Sequence, residues 1–507
     1  VVFIAFGFVV TACSSSSNIE VVSQDTAVAN TDTTDSPDSS SVESNTTYTT
    51  SAFETPTISW DSCGTGLECG YIEVPINYDD VNSDTTALYI VKHAATDAGA
   101  RIGSLLVNPG GPGFGGSYLA EAADKIFSQS ILSSFDIIGW DPRGTGTSIP
   151  AIDCTEDYDR FFASGDITPD TDQERADIVA STEEFTQACF DNNSDLLPYV
   201  GTNNVARDMD MIRRALGEDK ISYFGFSYGS ELGATWTTMF PETVRAAVLD
   251  GASDPNADDL VGTLQQNKGF EESIATFLAN CSADSSCTFH NDGNAEGAFD
   301  DLMEQLDENP ISTSSGRPDL TRGMALTAVA QAMYSDSYWS YLEDALASAQ
   351  AGDGTDLLSL YDEYFQRQAD GTYGNELEAF VNILCADNPD RMTVEEADAL
   401  VPQYQANAPR FSPGTTGDYT CVFWPKALDP RIKITGKGAG PIVVIGTTGD
   451  AATPLASTRN MVKALEEGRL IVVTADQHTG YNVNSCVNEA VDNYLIDLQA
   501  PDGELDC

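Results

Sequence analysis

The sequence predicts an α/β fold: a mostly parallel β-sheet with helices on both faces, interrupted by an inserted helical region. Short apolar runs alternate with helical segments up to about residue 252 and again from residue 438. This alternation is typical of a parallel sheet that is covered on both sides. Between these parts, the chain is mostly helical in pattern and rich in Asp, Glu, Ala and Tyr. We therefore predict a sheet domain formed by 56–252 and 438–507, with a helical cap at 253–437.

The individual elements follow from apolar periodicity and from the turn residues that bound each run. The predicted strands are, in chain order, 70–75, 86–91, 103–107, 135–140, 221–224, 244–250, 441–446 and 470–473. The predicted helices of the sheet domain include 117–127, 203–216, 455–467 and 484–498.

The N-terminal segment predicts export. Residues 1–10 form an apolar run of the length of a signal-peptide core, too short to span a bilayer. The run leads into Val10-Thr11-Ala12-Cys13, which resembles a bacterial lipobox, so 1–13 is predicted to be a lipoprotein signal and Cys13 the lipidated residue. The alternative is a non-lipidated signal peptide with a chance cysteine. Residues 14–55 are rich in Ser, Thr and Asp and predict a disordered tether.

The cysteines agree with an oxidising compartment. The chain has 11, and assigning Cys13 to lipid leaves an even number for disulfides. Proximity in the sequence suggests five local bridges, although spacing alone does not determine connectivity. The suggested pairs are Cys63–Cys69, Cys154–Cys189, Cys281–Cys287, Cys385–Cys421 and Cys486–Cys507. No C-x-x-C motif or His/Cys cluster is present in the sequence, so we predict neither a metal site nor a cofactor.

The charge of the chain limits its partners. The formal net charge is -55, from 79 acidic and 24 basic residues. Such a chain repels nucleic acid and anionic lipid, so membrane contact is expected only through the lipid anchor. We interpret the charge as a generally acidic surface; an acidic cleft that attracts cationic substrates is the alternative. No prediction of oligomeric state follows.

The strongest chemical signal is Gly225-Phe226-Ser227-Tyr228-Gly229. It follows the predicted strand 221–224 and precedes a segment that can form a helix, which is the context of a nucleophile elbow. The glycines allow the sharp turn, and the helix dipole favours negative charge near the Ser227 hydroxyl. Ser227 is therefore the predicted nucleophile, and an ordinary Gly/Ser turn is the alternative.

A serine nucleophile needs a base, and the base needs an acid to orient it. Of the three histidines in the chain, His478 follows the last predicted strand and gives the chain order Ser, acid, His. Asp450, in the loop after the preceding strand, is the predicted acid. Asp476 is a weaker candidate because it lies only two residues from His478.

The glycine-rich run after the strand 103–107 is the candidate oxyanion loop. An oxyanion hole needs two backbone N–H groups, and one normally comes from the residue after the nucleophile, here Tyr228. Glycine lets the backbone approach a substrate closely, so the second donor is predicted to be Gly111, with Gly110 as the fallback. A plain turn is the alternative.

Four motifs together resemble one family. Asn108 to Gly113, Asp141 to Gly146, the Ser227 motif and Asp450-x-x-Thr453-Pro454 are similar to motifs of the tripeptidyl aminopeptidase branch of the proline-iminopeptidase-like α/β-hydrolases. Members of this branch are exported actinobacterial serine peptidases. The resemblance covers roughly 60–507 and implies an α/β-hydrolase fold with a cap that limits access to free peptide N-termini. Pro109 replaces the His of true proline iminopeptidases, which argues against strict proline specificity.

The resemblance implies an aminopeptidase that releases short peptides, and a protonated α-amine requires carboxylates in the cap. Asp387 is the candidate, with a solvated or capping aspartate as the alternative. Two other functions are retained: a carboxylesterase acting on small or lipid esters, and a non-catalytic binding protein on a hydrolase fold. An epoxide hydrolase or dehalogenase is disfavoured because those enzymes carry a carboxylate where Ser227 stands.

Overall fold

A mixed β-sheet forms the centre of the protein in the computed structural model, which describes residues 48–163, 168–169, 171–314, 316–412 and 419–507. In chain order its ten described strands are β1 (Asp61–Gly64), β2 (Leu67–Pro75), β3 (Thr85–His93), β4 (Gly103–Asn108), β5 (Phe135–Trp140), β6 (Ile221–Phe226), β7 (Val244–Asp250), β8 (Ile442–Thr447), β9 (Gly468–Val473) and β10 (Leu505–Asp506). All eight predicted strands are present, and the short strands β1 and β10 were not predicted.

The strand order in the sheet is β1-β2-β3-β5-β4-β6-β7-β8-β9-β10. β2 pairs antiparallel with β1 and with β3, and β3 pairs antiparallel with β5. The rest of the sheet, from β5 to β10, is parallel. Every residue of β4, β6 and β8 is buried, as expected for parallel strands covered on both faces. The carboxyl ends of the parallel strands lie at one edge, so the loops that follow them meet there.

The described helices are α1 (Ser117–Glu121), α2 (Ala123–Ile126), α3 (Gln129–Ser134), α4 (Asp172–Asn193), α5 (Thr202–Ala215), α6 (Tyr228–Met239), α7 (Asp259–Ala283), α8 (Ala295–Glu308), α9 (Arg322–Met333), α10 (Trp339–Gln350), α11 (Thr355–Tyr364), α12 (Glu376–Asp387), α13 (Val394–Asn407), α14 (Leu455–Ala464) and α15 (Ser485–Asp497).

The helices cover the sheet on both faces. One face packs against α5, α6 and α14, and the other packs against α1 to α3 and α15, each with its own apolar core. The predicted fold class, an α/β-hydrolase with a mostly parallel sheet, is confirmed. Helices α7 to α13 lie between β7 and β8, within the range predicted as the cap, and most of them share a separate apolar core.

Helix α4 is the largest element that the sequence did not predict. It lies within the range assigned to the sheet domain, yet Phe185 and Cys189 pack against cap residues such as Ile383 and Trp424. Only Phe185, Thr186 and Cys189 of its 22 residues are buried. Because so few apolar side chains face inward, the segment has no helical stripe that periodicity could detect.

The N-terminal predictions are described only in part. The predicted signal segment, Cys13 and residues 14–47 lie outside the described residues. Residues 48–55, the end of the predicted tether, pack against α5: Thr50 is buried, and Arg214 donates to the carbonyls of Thr50 and Phe53 at 2.7 and 2.8 Å. The ring of Phe53 also contacts Tyr78 edge to face. Hydrogen bonds from Arg214 and the aromatic contact of Phe53 therefore hold residues 48–55 in place, although the composition of the segment predicted disorder.

All five predicted disulfides are confirmed, and they account for the ten cysteines of the described residues. Cys154–Cys189 and Cys385–Cys421 lie in the region of α4 and α12, whereas Cys486–Cys507 joins α15 to the residue that follows β10. Within the described ranges, we find no helix that combines the length and apolar character needed to cross a membrane.

Candidate active site

Ser227 occupies a strained turn between β6 and α6. Its φ and ψ are 54° and -125°, a conformation that L-residues rarely adopt. The Ser227 N–H donates to the Asp250 carbonyl at the end of β7, at 2.8 Å. A Cβ atom on Gly225 would lie 2.2 Å from the Gly229 carbonyl oxygen, so this close crossing of strand and helix requires glycine. The turn has the geometry of a nucleophile elbow.

His478 and Asp450 form a buried pair. The His478 Nδ1 lies 2.9 and 3.1 Å from the two carboxylate oxygens of Asp450. The carboxylate also accepts hydrogen bonds from the N–H groups of Ala452 and Thr453 at 2.9 and 2.8 Å, and from the Thr453 hydroxyl at 2.8 Å. These donors fix the carboxylate opposite the imidazole. The structure therefore brings Asp450, rather than Asp476, to His478.

The end of β7 supports the loop that carries His478. The carboxylate of Asp250 is buried and accepts from the N–H groups of Gly480 and Tyr481, both at 2.8 Å, in the loop that carries His478. Gly251 has a φ of 68°, and a Cβ there would lie 3.0 Å from the His478 carbonyl oxygen and 3.2 Å from its Cε1. Burial raises the pKa of Asp250 to about 7, against the lowering effect of the two N–H donors.

The cap also contacts the histidine loop. The His478 N–H donates to the Tyr334 carbonyl at 2.9 Å, and the Asp336 N–H donates to the Asp476 carbonyl at 2.9 Å. The Tyr334 ring meets the His478 ring edge to face, with centroids 5.4 Å apart. The residues that follow α9 thus form a short antiparallel contact with the loop of the predicted base, and they fix its position from the cap side.

The predicted oxyanion loop lies against the elbow. Gly110 and Gly111 have φ values of 103° and 107°, and a Cβ on Gly110 would lie 2.9 Å from the Ser227 Cβ and 3.1 Å from the Tyr228 nitrogen. The Gly110 N–H already donates to the Asn108 side chain at 2.9 Å. Gly111 and Tyr228 line the cleft beside Ser227. This arrangement favours Gly111 over Gly110 as the second donor.

The cleft beside Ser227 is strongly acidic. Arg431 is the one cation among the described residues that line it, against five carboxylates: Glu231, Asp254, Asp258, Asp259 and Asp387. The guanidinium of Arg431 lies 2.9 Å from Glu231 and 3.7 Å from Asp259. These carboxylates, Glu231 foremost, raise the pKa of Arg431. The cleft therefore carries an excess of negative charge.

Asp387, predicted to contact a substrate amine, lies in the wall of this cleft with only 3% of its surface exposed. Its carboxylate accepts the Thr202 N–H at 2.7 Å and the Thr202 hydroxyl at 2.5 Å. Burial raises its pKa to about 7, and the bonds from Thr202 act in the opposite direction.

Sequence reasoning missed several residues around the site. Glu231 lies one helical turn after Ser227, so the elbow itself could have identified it as a residue facing the cleft. Thr202, Tyr334 and Arg431 carry no comparable signal, because they come from segments far from the motifs in sequence.

A strained serine after a central parallel strand, with a His–Asp pair from two later strand ends, defines the class of serine hydrolases with the α/β-hydrolase fold. Comparison with known proteins agrees, since residues 408–507 match the model of the TAP-like protein family. The chain is 36% identical over 461 residues to serine protease Hip1 of Mycobacterium tuberculosis strain H37Rv, with 87% of each chain covered. It belongs to the tripeptidyl aminopeptidase-like family of α/β-hydrolases and is a serine hydrolase.

Two further relatives span most of the chain. Carboxylesterase B of Mycobacterium tuberculosis is 36% identical over 477 residues, covering 89% of this chain and 90% of the relative. Tripeptidyl aminopeptidase of Streptomyces coelicolor is 29% identical over 470 residues, covering 87% and 84%. The resemblance found in the motifs therefore extends over the sheet domain and the cap.

Proposed function

We propose that this protein is an aminopeptidase that releases short peptides from free N-termini through an acyl-enzyme on Ser227. The observation that carries the proposal is the acidic cleft beside Ser227, with five carboxylates and one guanidinium. A protonated α-amine is stabilised in such a cleft, whereas a neutral, acylated N-terminus gains no such attraction. Peptidase names among the relatives support the same reaction.

The proposed chemistry follows from the position of each group. Ser227 Oγ attacks the peptide carbonyl carbon while its proton passes to Nε2 of His478, because Nδ1 faces Asp450. The oxyanion is held by the N–H groups of Gly111 and Tyr228. His478 then donates the proton to the leaving amine as the C–N bond breaks. Water then gives a proton to the same imidazole as it attacks the acyl carbonyl, and His478 returns that proton to Ser227 Oγ as the ester C–O bond breaks and the peptide acid leaves.

The cap supports an exopeptidase rather than an endopeptidase. Residues of α7 and α12, among them Gly262 and Leu384, wall the cleft together with Cys421. The cleft therefore lies between the elbow and the cap, and four of its five carboxylates come from the range 253–437: Asp254, Asp258, Asp259 and Asp387. A chain end fits such a site better than the interior of an extended peptide.

The decisive experiment compares three substrates: a free tripeptide anilide, its N-acetyl form with the same anilide leaving group, and a simple aryl ester. We expect kcat/KM for the free peptide to be at least about 10-fold higher than for the acetylated peptide, because acetylation removes one well-placed charge interaction. Ser227→Ala removes turnover and labelling by a fluorophosphonate, while Ser230→Ala, at a buried serine in the first turn of α6, retains both.

Variants with fewer carboxylates in the cleft test whether the negative charge causes the preference for free N-termini. Asp258 accepts the Val261 N–H at the start of α7, and asparagine caps a helix equally well, so Asp258→Asn removes charge without removing the cap. We expect Asp254→Asn with Asp258→Asn to reduce the preference for free N-termini. Asp301→Asn, at an exposed site on α8, is the control.

The alternatives give distinct outcomes. Equal turnover of free, acetylated and ester substrates would overturn the aminopeptidase proposal in favour of a carboxylesterase, which the name of one relative supports. Absence of fluorophosphonate labelling in the folded protein would favour a non-catalytic binding protein.

Export and lipid anchoring at Cys13 form a second part of the proposal. Five disulfides suit an oxidising compartment outside the cytoplasm. Cys13→Ala is expected to abolish incorporation of labelled fatty acid and to move the protein from the membrane fraction to the medium. Unchanged fractionation of this variant would contradict lipid anchoring.

A further inference from the structure

A chain of hydrogen bonds links the cap to the residue after the predicted nucleophile. The hydroxyl of Thr202 donates to Asp387 Oδ2 at 2.5 Å. The same hydroxyl contacts the phenol oxygen of Tyr228. When the Asp387 carboxylate is ionised, the Thr202 proton points to it, so the Tyr228 O–H is the donor in the second contact. The chain therefore runs from Tyr228 through Thr202 to Asp387 at the end of α12.

One part of this chain has a structural explanation. Gly201 is the N-cap of α5 and offers no side chain to the first N–H groups of the helix. Asp387 takes that role from another element, since its Oδ1 accepts the Thr202 N–H at 2.7 Å. A Cβ on Gly201 would lie 2.8 Å from that oxygen, so glycine at 201 leaves room for the carboxylate. Capping does not account for the contact between Thr202 and Tyr228.

A second connection closes the network into a ring. The Arg431 N–H donates to the Asp387 carbonyl at 3.0 Å, and the Arg431 guanidinium donates to Glu231 at 2.9 Å. Glu231 lies on α6, one turn after Tyr228. Two routes therefore join Asp387 to the first turn of the helix that follows Ser227, one through Thr202 and one through Arg431.

This ring of contacts restrains Tyr228, the residue next to the strained Ser227. A residue with φ of 54° keeps that conformation only when its surroundings over-determine it. Tyr228 is the next residue, and its backbone N–H is one of the two proposed oxyanion donors. Fixing the far end of the Tyr228 side chain restricts rotation at the junction of Ser227 and Tyr228. An oxyanion donor contributes fully only when it is held in place before the reaction.

We propose that Asp387 and Thr202 are positioning residues, which hold Tyr228 through its phenol and so orient its N–H toward the oxyanion. The inference rests on the proposed serine chemistry at Ser227 and deepens it. Asp387 then acts through Thr202 and does not bind the substrate amine. The cap contributes to the chemical step for every substrate, because its helix α12 supplies the carboxylate that anchors the chain.

The test uses variants that break the chain but keep the cap of α5. Thr202→Val removes the hydroxyl and retains the N–H bonded to Asp387, and Tyr228→Phe removes only the phenol O–H. Complete loss of an oxyanion donor costs about 10²- to 10³-fold in kcat, so a donor that is merely loosened is expected to cost about 10-fold. We expect this fall in kcat, with KM within about 2-fold, on the free tripeptide anilide and on an aryl ester that has no amine.

Two controls distinguish positioning from simple destabilisation. Thr202→Ser keeps the hydroxyl and is expected to restore kcat. The double variant Thr202→Val with Tyr228→Phe is expected to be no worse than the poorer single variant, because both break one chain. If Thr202→Val does not fold, Tyr228→Phe alone still decides the outcome.

The inference is overturned if both variants retain the kcat of the native enzyme on the ester. It is also overturned if Asp387→Asn raises KM only for substrates with a free N-terminus, since Asp387 would then bind the amine. A native enzyme that shows no preference for free N-termini contradicts the aminopeptidase proposal but leaves the ester comparison intact, so the two failures are distinguishable.

Discussion

The sheet domain and the cap hold their parts of the site in different ways. The proposed triad residues Ser227, Asp450 and His478 follow β6, β8 and β9. The end of β7 holds two of these loops, because the Asp250 carbonyl accepts the Ser227 N–H and its carboxylate accepts the N–H groups of Gly480 and Tyr481 beside His478. The Gly449 N–H, next to Asp450, donates to the Ala475 carbonyl after β9. The cap residues Tyr334 and Asp387 come from helix ends, and they are held by side-chain contacts, a few main-chain bonds and nearby disulfides. The sheet domain therefore positions the proposed triad, whereas the cap lines the cleft and restrains the residues beside the triad.

The largest expected loss of activity comes from a substitution in the proposed triad of the sheet domain. Asp450→Asn leaves the shape of the site unchanged, but it removes the charge that fixes the imidazole tautomer and stabilises its protonated form. We expect kcat to fall about 10⁴-fold. Asp476→Asn is the matched control in the same region, and it is expected to stay within a few-fold of the native enzyme, as measured by kcat on the free tripeptide anilide. A larger loss from Asp476→Asn would reverse the assignment of the acid.

The sequence predicted the sheet side of the site well for a physical reason. In a parallel sheet each strand delivers its following loop to one edge, so the order of strands and loops places Ser227, Asp450 and His478 together. The strands themselves are continuous apolar runs, which periodicity detects. Short edge strands such as β1, with every residue exposed, have no such pattern and were missed.

The cap side was predictable only as a helical region. Its residues meet the site through tertiary contacts between distant segments, such as Asp387 with Thr202 and Tyr334 with His478. No local pattern encodes which helix end faces the cleft. Asp387 was selected as a carboxylate in the cap, but its carboxylate is engaged with Thr202, a partner 185 residues away. Helix α4 was missed because its exposed surface is polar.

The second-largest expected effect is a loss of stability and turnover when a disulfide of the cap is removed. Cys385→Ser with Cys421→Ser opens a loop of 36 residues, which should lower the free energy of unfolding by about 3 to 4 kcal/mol. Cys421 lines the cleft, so turnover should fall as well. Urea unfolding and kcat/KM measure the two effects.

The matched control is Cys63→Ser with Cys69→Ser at the edge of the sheet, where the loop spans only 6 residues. Its expected cost is about 2 kcal/mol, with turnover unchanged. Equal loss of turnover in both variants would mean that the cap does not present the substrate.

The third effect tests the contact between cap and base. Tyr334→Ala removes the ring that packs edge to face on His478, and it leaves the main-chain bond from His478 in place. The imidazole then has more freedom away from its productive orientation, so we expect kcat to fall about 10-fold with little change in KM. Tyr341→Ala, a tyrosine with 41% of its surface exposed on α10, should have no effect on kcat. A rise in KM alone would instead assign Tyr334 to substrate binding.

The smallest expected effect is on the pH dependence of the free energy of unfolding. It arises from one buried carboxyl in each region, Asp250 of the sheet domain and Asp387 of the cap. Burial raises the pKa of both from 3.8 to about 7. The native state therefore binds more protons than the unfolded state between those two values, so the free energy of unfolding falls as pH rises through this window. Each group contributes at most about 1.4 kcal/mol per pH unit.

Asp387→Asn should flatten this dependence while retaining a capping oxygen for α5, whereas the exposed control Asp301→Asn should leave it unchanged. Urea unfolding at intervals between pH 5 and pH 8 measures the slope. Asp250→Asn should flatten it too, but at a greater loss of stability at every pH, because the asparagine amide would face one of the N–H groups of Gly480 and Tyr481. If Asp387→Asn keeps the native slope, Asp387 titrates normally, and burial in the cap does not hold its proton as burial beneath the sheet edge does for Asp250.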